Sequence, residues 1–374
     1  MFERTKALCD KCLELGLPGI DFSVYRDGKE FFRYMGGYSD VENGIPMQGN
    51  ERFRIFSCTK PITVTAAMQL WEQGKFSLDD PVSKYMSAFS EMTVMTETGT
   101  KKAENPMLIW HLFTMTAGLS YNYSSPQLKK LLEENPAPTT RQVADALARE
   151  TLLFEPGDRF NYSLCHDVLG ALIEELSGES LQDYVKNHIF DPLGMEQSTY
   201  HLPEEEKPTV AALYEFDQET GKRMRIPLSG RLGPNYVSGG ASCVSTTSDY
   251  MKFAEALRTG ERLLKRQTIE LMTTNQLSEH QMRTFTLPTM NYGLGMWTAK
   301  PGQLRQNFGW GGAAGAMLGV YPRSGLSMVI MQHAKNSPVQ GLRKHLGRVF
   351  LAELEGDEDI FTETLDFKNY NLTY

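Results

Sequence analysis

The stretch Phe56-Ser57-Cys58-Thr59-Lys60-Pro61-Ile62-Thr63-Val64-Thr65-Ala66-Ala67-Met68-Gln69-Leu70-Trp71 sets a serine three residues before a lysine and then runs into an apolar repeat. Val64, Ala67, Met68 and Trp71 recur at helical spacing, Pro61 falls in the first turn, and Gly74 stands where a helix would end. Ser57 therefore lies at or just before a helix N-terminus. Residues three apart on a helix share a face, so the Lys60 amine can reach the Ser57 hydroxyl. A serine becomes a useful nucleophile when a neighbouring base takes its proton, and a desolvated lysine can be that base. The positive end of the helix favours negative charge developing there. The same four residues also fit an exposed capping serine beside a solvated lysine.

Outward from this stretch the chain reads as sheet, helices, then sheet again. Residues 2 to 15 have roughly helical spacing, carried by Leu8, Cys12 and Leu15. Ile20 to Tyr25 alternates as a strand, Asp27-Gly28 is a type I′ turn signal, and Phe31 to Met35 returns. From about 77 to 290 the chain reads as helices and long loops. One helix holds His111, Leu112 and Met115 and stops at Gly118. Another runs from Leu164 to Leu176 and stops at Gly178, and a third spans Ser248 to Gly260. A loop-rich stretch covers about 197 to 240. Tyr292 to Trp297, Ala316 to Tyr321 and Leu326 to Met331 then read as strands, with a hairpin turn at Pro322 to Gly325. An amphipathic helix carries Val339, Leu342, Leu346, Val349 and Phe350, and Glu355 to Glu358 reads as a solvated tail. The expected fold is α+β: an antiparallel sheet built from both chain termini, flanked by helices, with an inserted helical region. Residues 1–75 and 290–374 form the sheet domain, residues 76–289 the helical one, and the active site lies in the cleft between them.

Composition narrows the function. The 374 residues are 41% hydrophobic and 22% charged, an ordinary globular balance. A net charge of -8 with no concentrated basic stretch argues against nucleic acid as a partner. Five cysteines are too few and too scattered for a disulfide framework. Cys9 and Cys12 form a C-x-x-C without a second Cys/His pair, which reads as two surface or half-buried thiols. The first residues lack the apolar core of a secretory signal, and no run of about 18 apolar residues could span a membrane. The expected location is cytoplasmic.

Two further stretches carry chemistry. Tyr162-Ser163 follows Glu155-Pro156-Gly157-Asp158-Arg159-Phe160-Asn161 at a loop-to-helix junction, where a phenol can point into a cleft and shuttle a proton. A half-buried packing tyrosine fits equally. Phe308-Gly309-Trp310-Gly311-Gly312-Ala313-Ala314-Gly315 clusters glycines beside a strand, which lets a ligand approach the backbone or simply makes a tight turn.

The order of these three elements resembles the penicillin-recognising serine hydrolases. Within them the chain is similar to the class C β-lactamase relatives, especially the family VIII carboxylesterases. Supporting phrases are Leu78-Asp79-Asp80-Pro81-Val82, His111 to Leu119, Gly239-Gly240-Ala241 and Ser245 to Tyr250, and the resemblance covers roughly residues 20 to 350. It implies Ser57 as nucleophile, Lys60 and Tyr162 together as base, the backbone N–H groups of Ser57 and Ala313 as oxyanion hole, and no metal or cofactor. Two departures stand out. The asparagine of the tyrosine motif is here Leu164, and the Lys-Thr-Gly of the strand is here Trp310-Gly311-Gly312. Both exchange polar recognition for apolar surface, so these four residues are expected to bind substrate. They favour an apolar or neutral acyl ester over an anionic lactam. A β-lactamase or D-amino-acid peptidase of the same superfamily is the alternative, and a non-catalytic binder of peptide or cell-wall fragments the alternative of another class. His111 and His166 read as packing or hydrogen-bonding residues, and Asp79-Asp80-Pro81 as a cap and turn.

Overall fold

A computed structural model describes residues 1–228, 232–300 and 307–356. Its main helices are α1 (Glu3–Glu14), α2 (Thr59–Glu72), α3 (Cys165–Ser177), α4 (Thr247–Thr259) and α5 (Gln340–Glu355). The main strands are β1 (Gly19–Arg26), β2 (Lys29–Asp40), β3 (Ile45–Pro46), β4 (Met290–Tyr292), β5 (Trp297–Ala299), β6 (Phe308–Gly311), β7 (Met317–Tyr321) and β8 (Leu326–Gln332). They form one sheet in the order β4-β5-β6-β7-β8-β1-β2-β3. Every neighbouring pair is antiparallel.

Local chemistry explains the hairpin that starts the sheet. Asp27 and Gly28 both have positive φ (48° and 81°), as a type I′ turn demands, and Arg26 pairs with Lys29 across it. The two chain ends then meet directly, because β1 also pairs with β8, Phe22 opposite Ile330 and Val24 opposite Met328. Strand β8 is buried along its whole length, which is why Met328 to Met331 read as an apolar run. Its side chains still alternate between two cores. Met328 and Ile330 join Phe22, Phe32, Leu346 and Phe350 beneath α1 and α5. Val329 and Met331 join Ile62 and Val64 of α2 on the other face. Glu353 of α5 closes the first core: its carboxylate accepts the N–H groups of Arg4 and Thr5 at 3.0 Å and the Thr5 hydroxyl at 2.8 Å. That places an anion on the positive end of α1.

Helix ends follow the sequence signals. Gly178 and Gly260 cap α3 and α4 in the left-handed conformation (φ 76° and 72°), and the Thr246 hydroxyl accepts the Asp249 N–H at the start of α4.

Several expectations are corrected. The helix holding His111 covers only Ile109–Phe113, because Met115 turns left-handed (φ 57°) and leads the chain away before Gly118. The stretch Tyr292 to Trp297 is a turn between β4 and β5, made possible by Gly295 at φ 76°. The first half of the glycine-rich segment is itself strand β6, and Gly312 to Gly315 make the turn into β7. The region between the sheet halves carries small sheets too: Thr93–Thr96 with Gly99–Lys102 and Thr151–Leu152, and Tyr214–Phe216 with Arg223–Arg225 and Ala334–Lys335. Their strands are two to four residues long, too short to show a period. Cys9 and Cys12 are fully buried, because with Thr5 and Leu8 they form the inner face of α1. Of the acidic end read as a solvated tail, Glu355 is the last residue of α5 and Gly356 its cap, while positions 357 and 358 lie outside the described residues. No helix among the described residues is long and apolar enough to cross a membrane.

One glycine tests the sheet directly. A Cβ on Gly309 would collide with the Leu318 carbonyl oxygen of the paired strand. Gly309→Ala should therefore lower unfolding stability by about 1–3 kcal/mol, read as a lower urea midpoint at unchanged slope.

Candidate active site

Ser57 sits in a short 3₁₀ turn, Phe56–Cys58, that leads straight into α2. Phe56 has φ 48°, a conformation that bulky residues avoid, and the surroundings hold it there. The Cys58 carbonyl accepts the Tyr250 hydroxyl at 2.7 Å. The Thr59 hydroxyl accepts the Cys243 N–H at 3.0 Å, and the Thr63 hydroxyl donates to the Gly239 carbonyl at 2.6 Å. Segment 239–250 thus clamps the first turns of α2.

One helical turn places Lys60 beside Ser57, as its spacing predicts. Its Nζ lies 3.4 Å from Ser57 Oγ and donates to the Gly240 carbonyl at 2.9 Å, and the side chain is completely buried. The same nitrogen lies 4.7 Å from the Tyr162 ring centroid and 5.5 Å from that of Tyr121. Such cation–π contacts help carry an ammonium away from water.

Tyr162 reaches the site on a loop pinned by Asn161, whose N–H donates to the Met115 carbonyl at 2.9 Å and whose side-chain amide donates to the Leu119 carbonyl at 2.8 Å. The phenol oxygen is 2.7 Å from Ser57 Oγ. Burial pushes the Tyr162 phenol up to about 12, while its contacts with Ser57 and Trp310 pull the other way. Its ring stacks between Tyr121 (centroids 5.2 Å apart) and Trp310 (5.9 Å).

Strand β6 supplies the last wall. The Cys58 thiol contacts the Trp310 carbonyl at 3.6 Å, so it points away from Ser57. A Cβ on Gly312 would collide with the Ile55 carbonyl oxygen, so only glycine lets β6 lie this close to the serine turn. Gly312 N–H donates to the Ala316 carbonyl at 2.7 Å, which folds the chain back and leaves Ala313 exposed at the tip. Among the described residues the Ala313 N–H has no main-chain acceptor.

The structure therefore brings Ser57, Lys60, Tyr162 and Trp310 together, with Gly311, Gly312 and Ala313 at the edge. Leu164 does not join them. It caps α3, donates its N–H to the Ser120 carbonyl at 3.2 Å and buries its side chain entirely in the core, so it offers no surface to a substrate. Tyr121 and Gly240 are site residues that the sequence reading passed over. Tyr121 follows the Gly118 turn in a tyrosine pair, Tyr121 and Tyr123, and Gly240 belongs to a glycine pair that was read only as part of a family phrase.

The histidines stand apart from Ser57 chemistry. His111 Nδ1 accepts the Leu108 N–H at 3.1 Å, and burial lowers its pKa to about 4. His166 is fully enclosed, and burial, then the charge of Lys60, lowers its pKa to about 3.

The chain is similar to known proteins over most of its length. The beta-lactamase family model matches residues 5–351. Esterase EstB of Burkholderia gladioli is 31% identical over 288 residues, 68% of this chain and 69% of that protein. ML-236A carboxylate methylbutanoyltransferase mlcH of Penicillium citrinum is 31% identical over 71% of this chain and 66% of that one. The solved structure of EstCE1, described as a hydrolase with promiscuous acyltransferase activity, superposes with a TM-score of 0.78 at 26% identity, covering 92% of this chain and 97% of that one.

The two histidines make stability pH-dependent. Unfolded imidazoles titrate near about 6.5, so below that the unfolded chain binds protons that half-buried His111 and buried His166 refuse. Their contribution is complete above about pH 6.5 and shrinks as the pH falls towards about 4, by up to ~1.4 kcal/mol per pH unit for each. Urea midpoints should drop across that window, and His166→Gln should flatten the slope. A pH-independent midpoint would contradict this.

Proposed function

The chain belongs to the beta-lactamase family, and from that premise we propose that it is a carboxylesterase that acylates itself on Ser57, with Lys60 and Tyr162 handling the proton. The observation that carries the reading is Ser57 Oγ held 2.7 Å from the Tyr162 phenol and 3.4 Å from the Lys60 amine. Its relatives support a hydrolase or an acyltransferase, and the ester specificity rests on the residues of the site.

As Oγ attacks the ester carbonyl carbon, the Lys60–Tyr162 pair takes the serine proton. The carbonyl oxygen becomes an anion, and the backbone N–H groups of Ser57 and Ala313 receive it. Donors aimed at developing charge are worth about 2.7–4 kcal/mol each. Collapse breaks the C–O bond, and the alcohol leaves with the proton held by the pair. Water then adds to the acyl-enzyme, gives its proton to the same pair, and the acid departs as Ser57 recovers its own.

Trp310 supports a neutral, apolar acyl group. It stands where a cation would face a substrate carboxylate, and it extends an aromatic wall with Tyr162 and Tyr121. Leu164 plays no part in this selection, being buried. Transfer of the acyl group to an alcohol in place of water is a second reading, favoured by the acyl-transfer activities in the names of two of the similar proteins.

Hydrolysis of p-nitrophenyl butyrate and nitrocefin, side by side, tests both. The ester should turn over and nitrocefin barely. Ser57→Ala should lose at least about a thousandfold in kcat, and Tyr162→Phe about 100-fold or more, with the fold intact by circular dichroism. Adding a primary alcohol and detecting its new ester would support transfer. Full activity in Ser57→Ala would sink the reading, and dominant nitrocefin turnover would make the chain a β-lactamase.

A further inference from the structure

One buried charge near the site has no role in the steps above. Asp167, in the first turn of α3, is almost completely enclosed. Its Oδ1 accepts the hydroxyls of Tyr236 and Ser238. Its Oδ2 is buried and accepts no hydrogen bond among the described residues. Leaving half a carboxylate without a donor in a dry interior is costly unless a positive charge faces it.

The glycine pair shows where that charge is. A Cβ placed on Gly240 would lie 2.9 Å from Asp167 Oδ2 and 3.1 Å from Lys60 Nζ. The carboxylate and the amine thus face each other across one bare α-carbon. A chain of hydrogen bonds also links them. Ser238 donates its hydroxyl to Asp167 and accepts the Gly240 N–H at 3.2 Å, and the Gly240 carbonyl receives Lys60 Nζ at 2.9 Å. The segment that receives Lys60 is therefore anchored on Asp167.

The other titratable groups around Lys60 carry no charge near neutral pH. Tyr162 and Cys165 are both pushed up to about 12 by burial, and Tyr121 and Tyr123, the latter facing Asp167, are raised by burial as well. His166, one residue before Asp167 on α3, is held neutral at about 3. Tyr236, on the far side of the carboxylate, is raised well above its ordinary value by burial. Among these groups Asp167 is the one anion available to balance the ammonium that Lys60 forms when it takes the serine proton.

We propose that Asp167 is a positioning residue for the Ser57 reaction, supplying the counter-charge of Lys60 and, through Ser238 and Gly240, fixing where its amine sits. The proposal rests on the reading of Ser57 as nucleophile. It explains why position 240 carries no side chain, since any Cβ there would wedge the carboxylate and the amine apart.

The rate at which a fluorophosphonate probe labels Ser57, followed against pH, reads this without requiring the natural substrate. Asp167→Asn should slow labelling about 10- to 100-fold at the optimum, as expected when a reacting group is misplaced. Without its counter-charge the ammonium form of Lys60 is disfavoured. The acid limb of the labelling profile should then move to lower pH. A merely structural aspartate would lower stability without moving that limb. Ser238→Ala keeps the charge but cuts the strut, so it should slow labelling with the limb in place, and it decides the matter if Asp167→Asn does not fold. A folded Asp167→Asn with wild-type rate and profile overturns the proposal, as does wild-type labelling in Ser238→Ala when Asp167→Asn does not fold. Ser57→Ala separates the two levels. Labelling that persists in it overturns the nucleophile assignment and this inference together, whereas its loss beside an unaffected Asp167→Asn overturns this inference alone.

Discussion

A lysine side chain with no solvent exposure has to be met by acceptors, and the geometry around Ser57 follows from that requirement. Burying an amine away from water is costly unless hydrogen-bond partners replace the water, so each neighbour of Lys60 must return part of that cost. The returns come from separate segments: the Gly240 carbonyl, the Ser57 hydroxyl and the ring faces of Tyr162 and Tyr121. These segments cannot meet unless α2 starts abruptly, and the left-handed Phe56 and the clamp from segment 239–250 make it do so. The serine hydroxyl is drawn into the same network, which is how a structural demand and a chemical arrangement coincide.

The walls of the site are aromatic where polar recognition would otherwise be expected. Tyr121, Tyr162 and Trp310 stack in sequence, and Tyr292 meets Trp310 edge-on at 5.5 Å. Aromatic stacks of this kind fix ring positions as well as burying area. Tyr162 is thereby oriented from both faces, leaving its phenol oxygen little choice of direction.

Much of this was legible in the sequence. The turn at Asp27-Gly28, the helix stops at Gly178 and Gly260 and the apolar run of β8 are strong local signals, and the sheet joining both chain ends followed from them. Ser57 and Lys60 were paired by helical spacing alone. Tyr162 needed the resemblance, because nothing in its local sequence distinguishes a site tyrosine from a packing one. Leu164 shows the opposite failure: its place in a motif suggested a substrate contact, but the cap of α3 turns its side chain inward. Cys9 and Cys12 looked half-exposed because the face α1 buries is set by α5 and the sheet, a contact between distant parts of the chain. Tyr121, Gly240 and Asp167 gather around Lys60 only through tertiary folding, and no spacing rule links them.

The pairing of β1 with β8 also has a meaning in time. Phe22 waits for Ile330, and the serine turn at Ile55 to Cys58 waits for Trp310 and Gly312. As the chain emerges during synthesis, the serine appears well before the strand that walls it in. Contacts so remote in sequence are slow to form, and until they do the first strands expose an unpaired edge. A growing chain therefore carries the Ser57 hydroxyl unenclosed until Trp310 and Gly312 have been made and have docked.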